Sequence, residues 1–110
     1  MRAFNAPPLE SSVERPAVAK AKRLGWDCIK VLAFHGNKKS RPDRLFWRLG
    51  CYVWIEFKRP GDEPTEAQYR EHDRMRENGC NVFWTDNEEG ALEILAECWA
   101  IYVERQAADL

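Results

Sequence analysis

Arg41-Pro42-Asp43-Arg44-Leu45-Phe46-Trp47-Arg48-Leu49-Gly50-Cys51-Tyr52-Val53-Trp54-Ile55-Glu56-Phe57-Lys58 is the stretch that decides the fold. Its second half, Cys51 to Lys58, is rich in aromatic and β-branched residues, which favour extended backbone. Side chains alternate between the two faces of a strand. Tyr52, Trp54, Glu56 and Lys58 therefore share one face, and Cys51, Val53, Ile55 and Phe57 share the other. Leu45-Phe46-Trp47 reads as a companion strand, with Leu49-Gly50 as the tight turn between them. Such a hairpin carries Asp43, at the far end of its first strand, close to Glu56, near the far end of its second.

Two carboxylates brought to one place suit Mg²⁺ or Mn²⁺, which prefer oxygen ligands. An ion held there can activate a water and neutralise charge on a phosphate. Lys58 adds a second positive charge beside the reacting group. Taken alone, each part has an ordinary reading as well. Glu-x-Lys on a strand is common as a solvated pair, and Pro-Asp is a common turn element. The chemistry therefore rests on what surrounds these parts in the chain.

At 110 residues the chain is one domain with room for a modest core. Its 45% hydrophobic content and five tryptophans point to a folded globule. No apolar run is long enough to span a membrane. Met1 to Leu9 lacks the apolar centre of a signal peptide, so a cytoplasmic protein is expected (the host cytoplasm if a phage encodes it). Cys28, Cys51, Cys80 and Cys98 are widely spaced, with no Cys-x-x-Cys pair, which argues against a zinc site. They read as buried free thiols in a reducing compartment.

The net charge of −1 hides an uneven distribution. Arg15 to Arg48 holds ten lysines and arginines and two acids, Asp27 and Asp43, whereas from Asp86 onward seven acids face one base, Arg105. A localised basic face is what phosphate binding requires, whatever the net charge. Solvated helix and loop charges would give the same distribution.

Working outward from the hairpin, six further segments follow. Residues 1–9, with Pro7-Pro8, form a loose N-terminal arm, and the domain spans 10–110. A helix is expected from about Ser12 to Arg23, with Val13, Ala17, Ala21 and Leu24 on one face and Gly25 ending it. Pro16 belongs in its first turn, because a later proline breaks a helix. A strand from Trp26 to Phe34 leads into the basic loop His35 to Arg41. Thr65 and Gln68 form a capping box for a second helix that stops at Asn78-Gly79. A strand from Cys80 to Thr85 precedes a last helix, capped by Asp86 with Glu89 and ending near Val103. That helix carries more apolar surface than one core-facing stripe needs, which suits either a dimer interface or coverage by the chain ends. The order is helix, three strands, helix, strand, helix: a mixed α/β domain around a central sheet.

This order of parts resembles the PD-(D/E)xK nuclease superfamily, and within it the VRR-NUC family in its short stand-alone, phage-type form. The resemblance covers the chain from about Glu10 to the last helix. It is carried by Glu14 ahead of Lys22-Arg23-Leu24-Gly25, by Arg41-Pro42-Asp43-Arg44, by Val53 to Gly61 around Glu56-Phe57-Lys58, by Thr65-Glu66-Ala67-Gln68, and by Arg76 to Val82. It implies a restriction-endonuclease-like core (α-β-β-β-α-β) with a C-terminal helix. It implies a Mg²⁺- or Mn²⁺-dependent DNA endonuclease. Asp43 and Glu56 would be the side-chain ligands, with the backbone carbonyl of Phe57 completing the protein's share. Lys58 would be the catalytic lysine. Glu14 would face the metal directly or through water; Glu10, one helical turn earlier, is the alternative, but a helix that starts near Ser12 leaves Glu10 outside it. Gln68 would orient the site or contact the phosphate backbone. On the residues alone, Gln68 fits its capping box and Glu14 fits a charge at a helix N-terminus equally well.

Two departures from the family pattern stand out. Ser40-Arg41 replaces a glycine usual shortly before Pro-Asp, and Pro16 interrupts the first helix. Lys38, Lys39, Arg41 and Arg44 are the expected phosphate contacts, which fix position on DNA without reading sequence. Stand-alone family members resemble Holliday-junction resolvases, so the resemblance implies branched or junction DNA and a homodimer with two symmetry-related sites. A nicking or flap nuclease on the same fold, and a DNA-binding module without catalysis, remain the alternatives. His35 and His72 could suggest a His-metal nuclease, but each is isolated among non-ligand residues and is read as a surface or packing residue.

Overall fold

The structure, a computed structural model, describes residues 9–31 and 40–109. The N-terminal arm before Leu9, the expected end of the first strand at 32–34, and Lys38 and Lys39 lie outside the described residues. The elements run α1 (Ser11–Arg23), β1 (Asp27–Lys30), β2 (Arg44–Arg48), β3 (Cys51–Phe57), α2 (Glu66–Glu77), β4 (Val82–Thr85) and α3 (Glu88–Ala108). This is the mixed α/β order read from the sequence, with the restriction-endonuclease-like core and a C-terminal helix.

The four strands form one sheet in the order β1-β2-β3-β4. β1 to β3 are antiparallel neighbours, and β4 joins β3 in parallel. A parallel neighbour needs a crossover connection, and α2 provides it. The β2–β3 hairpin closes through Leu49 and Gly50, both at positive φ (45° and 92°). Positive φ at both central residues marks the primed turn that matches strand twist. Gly50 has a second reason to lack a side chain: a Cβ there would collide with the Tyr102 hydroxyl, which donates to the Leu49 carbonyl at 3.0 Å.

One sheet face carries the core. Phe46, Cys51, Val53, Ile55 and Phe57 are buried there against Val13, Ala17 and Ala21 of α1 and Ala91, Leu95 and Cys98 of α3. Removing a ring such as Phe46 from this layer costs about 3–5 kcal/mol. The wide apolar surface of α3 is thereby largely explained: the helix packs on α1, β3 and β4 together. Trp99 meets Trp26 edge-on at 6.3 Å and carries the Arg48 guanidinium 4.1 Å from its ring centre. The opposite face receives α2 at its β4 side, where Tyr69 packs edge-on to Trp84 at 6.5 Å.

Several local details differ from the sequence reading. α1 begins at Ser11 and continues through Pro16, which is the sixth helical residue and not in the first turn. The carbonyl that Pro16 leaves without a donor belongs to Ser12, an exposed residue, so water can satisfy it. Leu24 is 58% exposed, and Trp26 fills the core position in its place. α3 is capped by Asn87, which accepts from the Gly90 amide at 2.6 Å, while Asp86 accepts from Gly61 at 2.9 Å. That helix runs on to Ala108, and β4 starts at Val82, leaving Cys80 just outside it and half-buried. The Thr65–Gln68 capping box forms as expected, with bonds of 2.9 and 3.2 Å.

Candidate metal centre and its anchoring helix

The hairpin register decides the site. Arg44 lies opposite Ile55, so one step further the same register sets Asp43 opposite Glu56. On the other side of β2 the β1–β2 ladder also reaches Asp43, whose carbonyl accepts from the Val31 amide at 2.7 Å. α1 reaches the same end of the sheet with Glu14, which is buried, and with Glu10 at its N-cap. Carboxylate oxygens of Glu10, Glu14 and Asp43 lie within 4.8 Å of one another. Glu10, outside the helix as expected, thus stands beside Glu14 instead of away from the cluster.

Electrostatics at this point are unfavourable for acids alone. Burial, then the neighbouring Glu14, pushes the Asp43 carboxyl above its ordinary range, although Lys30 partly offsets this. Burial, then Asp43, Glu14 and Glu56, does the same to Glu10, with Lys58 acting in the opposite direction. Asp43 Oδ1 and Glu56 Oε1 are buried without a hydrogen-bond partner among the described residues. Glu56 is not part of the 4.8 Å group, but a desolvated, unpartnered oxygen such as Asp43 Oδ1 within a cluster of acids is what a hard cation relieves. The donor set therefore fits a divalent ion. Phe57 buries its ring in the core and pairs with Thr85 of β4. Lys58 follows directly, its amide held by the Thr85 carbonyl at 2.9 Å.

Both arginines flanking Asp43 have internal partners. Arg44 donates its Nε to Glu14 Oε1 at 2.6 Å, and Arg41 donates its Nε to Glu71 Oε2 at 2.7 Å. Glu71 is buried on α2 and also receives Arg74 at 3.2 Å. Lys30 sits between Glu14 (3.7 Å) and Asp43 (3.8 Å). Gln68 is half-buried at the start of α2, its Oε1 engaged by the Thr65 amide. The thiols offer no alternative chemistry. Burial pushes Cys28 and Cys51 above the usual thiol range, and burial with Cys51 takes Cys98 up to about 11.

No family model matches the chain. A solved structure described as a VRR_NUC domain superposes with a TM-score of 0.67 at 28% identity, covering 79% of this chain and 94% of that one. A protein of Acyrthosiphon pisum secondary endosymbiont phage 1, named "Putative nuclease p44", is 31% identical over 81 residues, 73% of this chain and 85% of its own length. The chain belongs to the VRR-NUC family.

His72 is the residue near the VRR-NUC carboxylates that sequence reasoning missed. It is fully buried on α2, with Nε2 3.6 Å from Glu56 Oε1. The sequence reading set it aside as a metal ligand and took it as a surface or packing residue. A signal was present: His72 follows Gln68 by one helical turn, so both occupy one side of α2. Nothing in the sequence, however, says that this side lies over β3.

Proposed function

We propose that this protein is a divalent-metal-dependent DNA endonuclease that acts on branched DNA. The observation that carries the reading is the gathering of Glu10, Glu14 and Asp43 carboxylate oxygens within 4.8 Å of one another, with Asp43 Oδ1 buried and unpartnered among the described residues, in a VRR-NUC chain. Asp43 and Glu56 would hold Mg²⁺ or Mn²⁺, with the Phe57 carbonyl. Glu14, and Glu10 beside it, would face the ion directly or through water. Such an ion supplies charge neutralisation at the phosphate and a water of lowered pKa.

The protein's own residues account for the rest. Lys58 would donate to the non-bridging phosphate oxygen as negative charge builds. Gln68, at a helix N-terminus, would turn toward the phosphate backbone. Lys38 and Lys39 would contact phosphates, with Arg41 at the edge of that stretch. The exposed Ile29 and Tyr52 on the sheet face away from the core favour a homodimer, hence paired cuts in a Holliday junction. The kinship with a phage protein named a nuclease supports the enzymatic reading over a binding module, and suggests the host cytoplasm as the place of action.

Cleavage of a labelled four-way junction, a flap and plain duplex, each with Mg²⁺, Mn²⁺ or EDTA, tests this. The wild type should cut the junction at paired positions only when metal is present. Lys58→Ala should lower the rate about 100- to 1,000-fold. Preference for the flap or duplex would leave the nuclease and remove the resolvase. Junction binding without any cleavage would leave the binding module.

A further inference from the structure

We propose that His72 is a positioning residue for Glu56, and that α2 is the element that fixes the carboxylate geometry of the site. The inference rests on the metal-dependent reading above and adds to it a residue on a different element.

The observations are these. His72 is 0% exposed and Glu56 is 6% exposed. Both ring nitrogens of His72 and Oε1 of Glu56 lack a hydrogen-bond partner among the described residues. A buried polar atom left so is destabilising. A fold that leaves two partners 3.6 Å apart needs only a contraction of several tenths of an ångström to reach hydrogen-bond range, about 2.7–3.2 Å. An Nε2–H donating to Oε1 satisfies those two atoms at once, with Nδ1 left as the acceptor nitrogen. It also fixes the rotamer of Glu56 and leaves the other carboxylate oxygen for a cation. Outer hydrogen bonds of this kind orient ligands in metal sites generally.

The ring is held for this role. Tyr69, one turn earlier on α2, meets it edge-on at 6.4 Å and itself packs against Trp84 of β4. The adjacent residue, Glu71, holds Arg41, two residues before Asp43. Two neighbouring side chains of one helix thus reach both ligand-bearing segments: Glu71 the approach to Asp43, and His72 the end of β3.

The test combines a contact readout with a function readout. Nitrogen-15 NMR of labelled histidine in the metal-free protein should show a protonated Nε2 whose signal moves in Glu56→Gln. A ring lacking that proton, or indifferent to Glu56, overturns the proposal. Calorimetric titration with Mn²⁺ should then show affinity reduced about 10- to 100-fold in His72→Leu and restored in His72→Gln, whose amide is a donor of similar reach. Equal affinity in wild type and His72→Leu overturns the proposal while leaving the metal site intact. Absence of Mn²⁺ binding by the wild type removes the functional reading itself, and this proposal with it. Nitrogen hyperfine coupling on bound Mn²⁺ that disappears in His72→Leu would make His72 a ligand and also overturn the positioning role. Thermal melts of the metal-free variants separate loss of fold from loss of affinity.

Discussion

Asp43 is the residue at which function opposes stability. Its carboxyl is raised from an ordinary value near 3.8 by burial and by Glu14. A raised carboxylate favours the folded state below its unfolded pKa, and that contribution is lost as pH climbs through the folded value. Metal-free protein should therefore gain from Asp43→Asn, on the order of 0.5–2 kcal/mol at neutral pH. Melts followed by circular dichroism should show this gap closing as pH falls toward 4 or so. The same variant should lose the upward Tm shift that Mn²⁺ gives the wild type, since stabilisation by a ligand requires its site. A lower melting temperature for Asp43→Asn would mean that Lys30 outweighs the acidic cluster. Arg44 makes the second residue-scale case. The sequence reading assigned it to phosphate, but its guanidinium is bound to buried Glu14. Arg44→Ala should cost about 1–3 kcal/mol by leaving Glu14 with a weaker partner. The slope of log affinity for DNA against log salt should stay unchanged, where loss of a phosphate contact would reduce it by about 1.

At the scale of elements, the hairpin was legible because its signals are local. Alternation, a two-residue turn and the flanking carboxylates all lie within one short stretch, and the register follows from them. The capping box of α2 was legible for the same reason. What the sequence hid is non-local. Pro16 inside α1 is tolerated because tertiary packing of Val13, Ala17 and Ala21 holds both sides of it, and no local rule reports that. Asn87 displaced Asp86 as a cap because Asp86 is engaged by Gly61, a partner from a distant loop. His72 and the inward turn of Arg41 and Arg44 depend on where α2 and α1 cross the sheet. The turn itself retains strain. Leu49 sits at φ 45° and is largely exposed, a backbone state that costs a branched L-residue about 1–2 kcal/mol and suits asparagine. Leu49→Asn should therefore stabilise by about 1 kcal/mol and raise Tm by a few degrees, about 4 °C or more for a domain of this size. Denaturant midpoints should shift up with an unchanged m-value. The Tyr102 bond is to the backbone carbonyl and survives the change. No gain would mean that the Leu49 side chain holds the turn through contacts of its own.

The whole molecule leaves one surface unaccounted for. α2 covers the β4 side of its sheet face and the Glu56 end of β3, but among the described residues no helix covers the same face of β1, β2 and the rest of β3. Ile29 is 46% and Tyr52 55% exposed there, beside half-buried Leu45, Trp47 and Trp54. A contiguous apolar patch of this kind is unusual on a monomer. It adjoins the carboxylates, because Trp54 precedes Glu56 by one same-face step and Leu45 follows Asp43 by another. The apolar surface of α3, by contrast, is mostly buried within the protomer, so the sheet face is the better candidate for self-association. A two-fold pair joined there would set two sites on one assembly, as paired cutting of a junction demands. Light scattering should therefore give about twice the 12.9 kDa chain mass, and Tyr52→Glu should return the monomer by burying a charge in the interface. Because Tyr52 is remote from the metal ligands, the monomeric variant should still nick DNA while losing the coordinated second cut. A wild type that is monomeric at working concentration would remove the basis for paired cleavage and favour the flap or nicking habit. A dimer indifferent to Tyr52→Glu would move the interface elsewhere, and the exposed Ile101 and Val103 of α3 would be the next residues to change.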